Sequence, residues 1–160
     1  MRLERVSFSD DAAVALAGDL ESELLGQYDG VPGSGGLPAP EIFEPPRGCF
    51  LIGFLDARPV ACGGVSRYDD RTCELRRMYV VPEFRGRGLS RRLLRALEDN
   101  ARSLGYARLR LETGNLQVAA IGLYEASDYE RIERYGPFAA DERSVCFEKA
   151  LAVDSRATLS

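Results

Sequence analysis

The order of hydrophobic periodicities in this 160-residue chain predicts one mixed α/β domain. Three observations carry that expectation. Residues 49–81 hold three apolar segments separated by short polar turns, the pattern of an antiparallel meander. Leu89, Leu93, Leu97, Ala101 and Leu104 recur at steps of four, four, four and three, the stripe of an amphipathic helix. Residues 107–112 after that helix are again strand-like, so a strand-helix-strand unit lies in the middle of the chain.

Taken in order, residues 3–8 alternate weakly and form a first strand. Ser9-Asp10-Asp11 then offers an N-cap for a helix to about Leu25, with Ala13, Leu16, Leu20 and Leu24 facing inward. Residues 26–48 change to Gly, Pro, Ser and acidic side chains, including Pro32-Gly33-Ser34-Gly35-Gly36 and Pro45-Pro46. Such a long loop in a small domain is often functional. Residues 49–55, 59–65 and 72–81 are the three meander strands, turned by Asp56-Ala57-Arg58 and Tyr68-Asp69-Asp70-Arg71. The leucine-striped helix stops at Gly105. A strand over 107–112, a short helix over 117–126 and closing strands over 129–133 and 144–149 complete a domain spanning 2–150, with 151–160 as a C-terminal tail.

Composition narrows the chemistry. Hydrophobic residues are 45% and charged residues 29%, enough for a sizeable core. There is no histidine, which removes a Ser-His-Asp or Cys-His triad, a histidine base and the usual zinc and iron ligand sets. Lys149 is the only lysine and no GxxxxGK[ST] pattern surrounds it, so a P-loop NTPase is excluded. Cys49, Cys62, Cys73 and Cys146 form no CxxC pair and read as small core residues. The N-terminus opens no apolar run of signal-peptide length and no 18-residue apolar stretch occurs, which points to a reduced, cytoplasmic protein without a membrane partner.

The net charge of -4 is unevenly placed: twelve acids face five arginines in residues 1–70, and thirteen acids face sixteen basic residues in 71–160. The split suits a phosphorylated ligand on the basic half and a cationic one on the acidic half, where Asp29, Glu41 and Glu44 lie in the long loop. No uniformly basic face is present, so nucleic acid is a poor partner.

Chemistry concentrates just before the striped helix, in Val80-Val81-Pro82-Glu83-Phe84-Arg85-Gly86-Arg87-Gly88-Leu89-Ser90. At a helix N-terminus unpaired N–H groups and the positive end of the dipole converge, and the bare Gly86 and Gly88 let a bulky anion approach them. A tight turn would also use these glycines. The stretch from Glu74 to Tyr129 resembles the GCN5-related N-acetyltransferase superfamily, whose [QR]-x-x-G-x-[GA] signature it carries as Arg85-Gly86-Arg87-Gly88-Leu89-Ser90, with serine in the last position. Leu75 to Glu83 resembles the strand that precedes that signature. Gln117-x-x-Ala120-x-x-Leu123-Tyr124-Glu125 resembles the family's N-x-x-A-x-x-L-Y-E helix with Gln117 for asparagine.

The resemblance implies a mostly antiparallel central sheet, splayed between its fourth and fifth strands and flanked by helices. It implies acetyl-CoA as cosubstrate and no metal, with the pyrophosphate on the amides of Arg85, Gly86, Arg87, Gly88, Leu89 and Ser90, and Gln117 nearby. The pantetheine arm would pair with Met78, Tyr79 and Val80 as an added strand. By family position Tyr124 is the acid that protonates the departing sulfur, and Glu74 is the favoured base for a small-molecule amine, with Glu112 its rival. Asp128 stands where the family commonly has a turn glycine. A peptide acceptor, or a non-catalytic acyl-CoA-binding module, is the alternative; a homodimer is compatible with any of these.

Overall fold

The computed structural model describes residues 1–152, so most of the expected tail at 151–160 lies outside the described residues. Leu151 still belongs to the domain: it is buried, and its amide donates to the Ala107 carbonyl. The elements run β1 (Arg2–Val6), α1 (Asp11–Gln27), β2 (Cys49–Leu55), β3 (Arg58–Arg67), β4 (Thr72–Val80), α2 (Leu89–Ser103), β5 (Arg108–Gly114), α3 (Val118–Ala126), β6 (Glu130–Ile132) and β7 (Ser144–Ala150). One seven-stranded sheet has the order β1-β2-β3-β4-β5-β7-β6. Every neighbouring pair is antiparallel except β4 and β5, which are parallel because α2 carries the chain back across the sheet.

Local signals explain most boundaries. Asp10 caps α1 by accepting from the Ala12 amide, as its short carboxylate allows. Gly105, at φ +94°, follows the end of α2 in the left-handed conformation that glycine adopts most readily. The α2 stripe is buried at Leu89, Leu93, Leu97 and Ala101, and Leu94 joins it. All four cysteines are free and buried, and burial pushes the Cys62 and Cys73 thiols up to about 12, which leaves them unreactive.

Register assigns side chains to faces. Leu109 and Leu111 of β5 lie opposite Lys149 and Phe147 of β7, on the side where Phe147 meets Tyr124 of α3 and Lys149 meets Glu98 of α2. Arg110 and Glu112 alternate to the other side. There Glu74, opposite Arg110, looks toward α1 and the loop behind it.

The feature that makes a site is the incomplete pairing of β4. Thr72 to Leu75 pair with Arg108 to Leu111, and there the two strands part, although β4 continues to Val80 and β5 to Gly114. On its other edge β4 stays paired to β3, with a register shift opposite Gly63 and Arg77 at φ +57°. That bulge twists the strand away from β5. Parallel strands that separate leave a wedge with free N–H and C=O groups along one wall.

Candidate active site

The wedge opens into a cavity of about 390 Å³ that passes through the sheet. Leu20, Leu24 and Tyr28 of α1 and its exit, together with residues 31–37, close one side, and Gln117, Ala120 and Tyr124 of α3 line the other. Glu74, Arg76, Met78 and Glu112 stand on the strands between.

The loop after α1 is strapped over this cavity from three directions. Arg77 donates to the Gly36 carbonyl at 2.9 Å, Arg143 donates to the carbonyls of Val31 and Pro32, and Ser34 donates to Asp141 at 2.5 Å. Tyr28 anchors its start by accepting from the Leu116 amide at 2.9 Å. The acidic residues expected beside the acceptor are elsewhere: Asp29, Glu41 and Glu44 do not line the cavity, and Glu44 instead accepts from Ser7. The loop shapes the site through its Gly and Pro backbone rather than through charge.

The residues expected on the cofactor side fall into two groups. Gly86 and Gly88 both have φ +78°, and Gly88 is the left-handed N-cap of α2 with no side chain capping it. A Cβ on either would meet nothing within 4 Å, so the cradle in front of them is open. Among the described residues, the amides of Gly86, Arg87, Gly88, Leu89 and Ser90 have no hydrogen-bond partner. Five unspent donors at the positive end of a helix fit a pyrophosphate. Met78 faces the cavity while Tyr79 and Val80 are buried, all three on the unpaired stretch of β4. Gln117 is the N-cap of α3 and its side-chain amide donates to Gln27, which ties α3 to α1 at the cavity rim.

Arg85 departs from the sequence expectation. Its amide donates to the Pro82 carbonyl, its Nε to the Val80 carbonyl at 2.9 Å and its Nη2 to Glu23 at 2.7 Å. The guanidinium therefore braces β4 against α1 instead of reaching for an anion, because Glu23 offers it a charged partner. Arg87 stays on the loop with its guanidinium over the Phe84 ring at 5.0 Å, exposed and beside the cradle.

Two carboxylates and a phenol converge on the wedge. Glu74 accepts from the Tyr135 hydroxyl at 2.6 Å, and its other oxygen lies 3.6 Å from Arg76 Nε. Glu112 accepts from the Ser144 hydroxyl at 3.1 Å, and burial, reinforced by the nearby Asp141 and Glu74, pushes its carboxyl up to about 6. Tyr124 is buried between Tyr129 and Phe147, and burial together with the Glu112 charge raises its phenol far above the ordinary value. Among the described residues its hydroxyl has no hydrogen-bond partner, yet no sealed side-chain oxygen lacks one. The hydroxyl thus opens onto the cavity, free to donate there.

Sequence reasoning did not single out Arg76, Tyr135 or Ser144. Arg76 was within reach: it follows Glu74 by two residues, so strand alternation puts both on one face. Tyr135 and Ser144 enter from the chain after α3 and carry no local signal. Lys149, the only lysine, is used structurally, donating to the buried Glu98 at 3.0 Å beside the Tyr129 hydroxyl, which donates to the same oxygen. Asp128 has φ +70°, the left-handed turn expected of it.

Comparison with known proteins places this geometry. The profile of the acetyltransferase (GNAT) family matches residues 19–129. An IAA acetyltransferase from Azospirillum brasilense is 33% identical over 150 residues, 93% of this chain and 97% of that protein. A crystal structure from Klebsiella pneumoniae, described as an acyl-CoA N-acyltransferase, superposes with a TM-score of 0.79 at 30% identity, covering 94% of this chain and 97% of that one. A GNAT family acetyltransferase from Elizabethkingia anophelis with acetyl-CoA bound shares the fold, with a TM-score of 0.67 at 16% identity over 94% of this chain and 97% of that one.

Proposed function

Because the chain belongs to the acetyltransferase (GNAT) family and is an acyltransferase using acetyl-CoA, we propose that it acetylates the primary amine of a small molecule by direct attack. The observation that carries this reading is the strapped cavity. A volume of about 390 Å³ is in the range of small-molecule sites, roughly 300–1,000 Å³. An extended peptide would need the groove that residues 31–37 cover. A pure acyl-CoA sensor would have no use for a free phenol and a carboxyl with an elevated pKa lining the same cavity.

In this reading the amides of residues 86–90 hold the pyrophosphate, Arg87 adds charge at their edge, and the free rim of β4 at Met78, Tyr79 and Val80 receives the pantetheine amides. The donor supplies an activated acetyl group on sulfur. Glu112 takes the proton of the incoming ammonium, directly or through one water, since a carboxyl near 6 is ionised at neutral pH and still basic enough to accept. Glu74, held by Tyr135, adds negative charge that attracts the ammonium. The new C–N bond forms as the C–S bond breaks, and the Tyr124 hydroxyl donates to the departing sulfur. Its raised pKa keeps it protonated at any working pH.

A thiol-release assay with acetyl-CoA and a panel of amines, polyamines, amino acids and peptides tests this reading. Turnover with small amines supports it; turnover with peptides alone would move the site to the peptide class. The cradle has its own test. Gly88→Val places a β-branched residue at φ +78° and a side chain where the anion would sit, costing about 1–3 kcal/mol of stability. The variant should fold with a lowered Tm and lose the CoA-dependent thermal shift that the parent shows. Unchanged CoA affinity in folded Gly88→Val would remove the cradle assignment.

A further inference from the structure

We propose that the acceptor is an amino acid, carrying a carboxylate near its reacting amine, and that Arg76 binds that carboxylate. The inference rests on the acetyl-transfer reading above and names the substrate class within it.

The charges of the cavity wall can be paired off one by one. Arg77 gives Nη1 to Glu21 at 2.7 Å and Nη2 to the Gly36 carbonyl. Arg143 gives two nitrogens to Asp141 and the rest of its reach to the loop carbonyls. Both are spent on building the lid and its support. Arg76 is different. Among the described residues it donates no hydrogen bond, and its closest carboxylate oxygen is Glu74 Oε1 at 3.6 Å, outside hydrogen-bond reach. Glu74 is itself engaged, because its other oxygen accepts from Tyr135.

The guanidinium is nevertheless withdrawn from solvent: its side chain is only 21% exposed, and burial lowers its pKa. Nη2 lies under the lid, 3.9 Å from where a Cβ on Gly35 would be. No sealed side-chain nitrogen lacks a partner among the described residues, so the unbonded donors of Arg76 open onto the cavity. A half-buried guanidinium with free donors is costly until an anion meets it. Its planar fork suits a carboxylate held by two parallel bonds.

The other charges favour a zwitterion over a simple amine or a simple acid. Glu112 and Glu74 stand beside Arg76 and attract the ammonium that must lose its proton, while Arg76 stands ready for the opposite charge. A ligand with both ends satisfies all three groups. A polyamine would leave the donors of Arg76 without a hydrogen bond and bring a second positive charge to it. The loop acids behind the expectation of a cationic acceptor do not line the cavity, and Glu21 of the acidic first half, which does, is paired with Arg77.

The test uses the full chain, acetyl-CoA and the thiol-release assay, with α-, β- and γ-amino acids each set beside its carboxamide and its decarboxylated amine. The best amino acid should exceed its amide and amine by about 100-fold in kcat/KM, the scale set by a desolvated charge pair. Arg76→Gln should collapse that preference to near unity through KM, with kcat changed little, and Arg76→Lys should restore part of it. A CoA-dependent thermal shift retained in Arg76→Gln shows that the variant is folded and that the donor still binds. Equal turnover of amines and amino acids by the parent, or a preference untouched by Arg76→Gln, overturns the carboxylate assignment and leaves acetyl transfer to amines standing. Thiol release with no small amine at all, despite the CoA shift, overturns the acetyl-transfer reading and this one with it.

Discussion

Glu112→Gln lowers kcat/KM by roughly 100-fold at neutral pH, the lower end of the range for a lost general base, while raising the stability of the protein. The two effects have one cause. Burial holds the Glu112 carboxyl at about 6 in the folded chain, above the usual 4.5. Between these values the native state binds more protons than the unfolded one, so the group's contribution to stability is fully present below about 4.5 and is lost as pH rises through about 6. Above 6 the enzyme therefore carries an ionised carboxylate that its surroundings disfavour. Gln removes that charge and can still accept from Ser144 through its carbonyl oxygen. At pH 8 the variant should be more stable on the order of 1–2 kcal/mol, and at pH 4 the gain should vanish. The kinetic signature has the opposite sense: the parent gains kcat/KM as pH rises through about 6, and the variant lacks that limb. Glu74→Gln should keep the limb but move it to lower pH, because the Glu74 charge is one of the groups that raise Glu112. A limb that disappears in Glu74→Gln and persists in Glu112→Gln would exchange the roles of the two carboxylates.

Tyr124→Phe should cost at least about 10-fold in kcat, on the order of a general-acid contribution, with the CoA-dependent thermal shift intact. The ring keeps its edge contact with Tyr129 and its contact with Phe147, and the lost hydroxyl has no protein partner among the described residues. Stability should hardly change for that reason, which separates a chemical loss from a folding one. The loss should be the same across the working pH range, because the raised phenol pKa leaves no titration to observe. Parent-like turnover in the folded variant would take Tyr124 out of the mechanism.

Much of the architecture is legible before any coordinates. The stripe of α2, the meander and the capping Asp10 are written in residues a few positions apart, where helical and strand periods or one short hydrogen bond decide the outcome. The paired glycines at the start of α2 are legible for the same reason: a positive φ and a bare Cα are properties of the residue itself. Even so, the boundaries moved at both ends of β5, which runs over Arg108–Gly114 rather than 107–112 because pairing with β7 extends to Gly114. Leu151, expected in the tail, instead finds a buried seat and a partner in Ala107.

By itself, then, the sequence determined the order of elements and the left-handed glycines that open α2, and it pointed to Tyr124, Glu74 and Glu112, which line the wedge. The tertiary structure alone decided how those groups are spent. Arg85 flanks the cradle in the chain yet braces Glu23, 62 positions away, while Arg76, ordinary in its local context, is left with free donors under the lid. The Glu112 carboxyl is raised to about 6 only because the assembled fold buries it and brings the charges of Asp141 and Glu74 near, which together outweigh the opposing hydrogen bond from Ser144. Local periodicity depends on bond geometry that every residue carries with it. Charge pairing, desolvation and the bulge at Arg77 depend on which distant segment becomes the neighbour, and that is settled only when the sheet has assembled and β4 and β5 have parted.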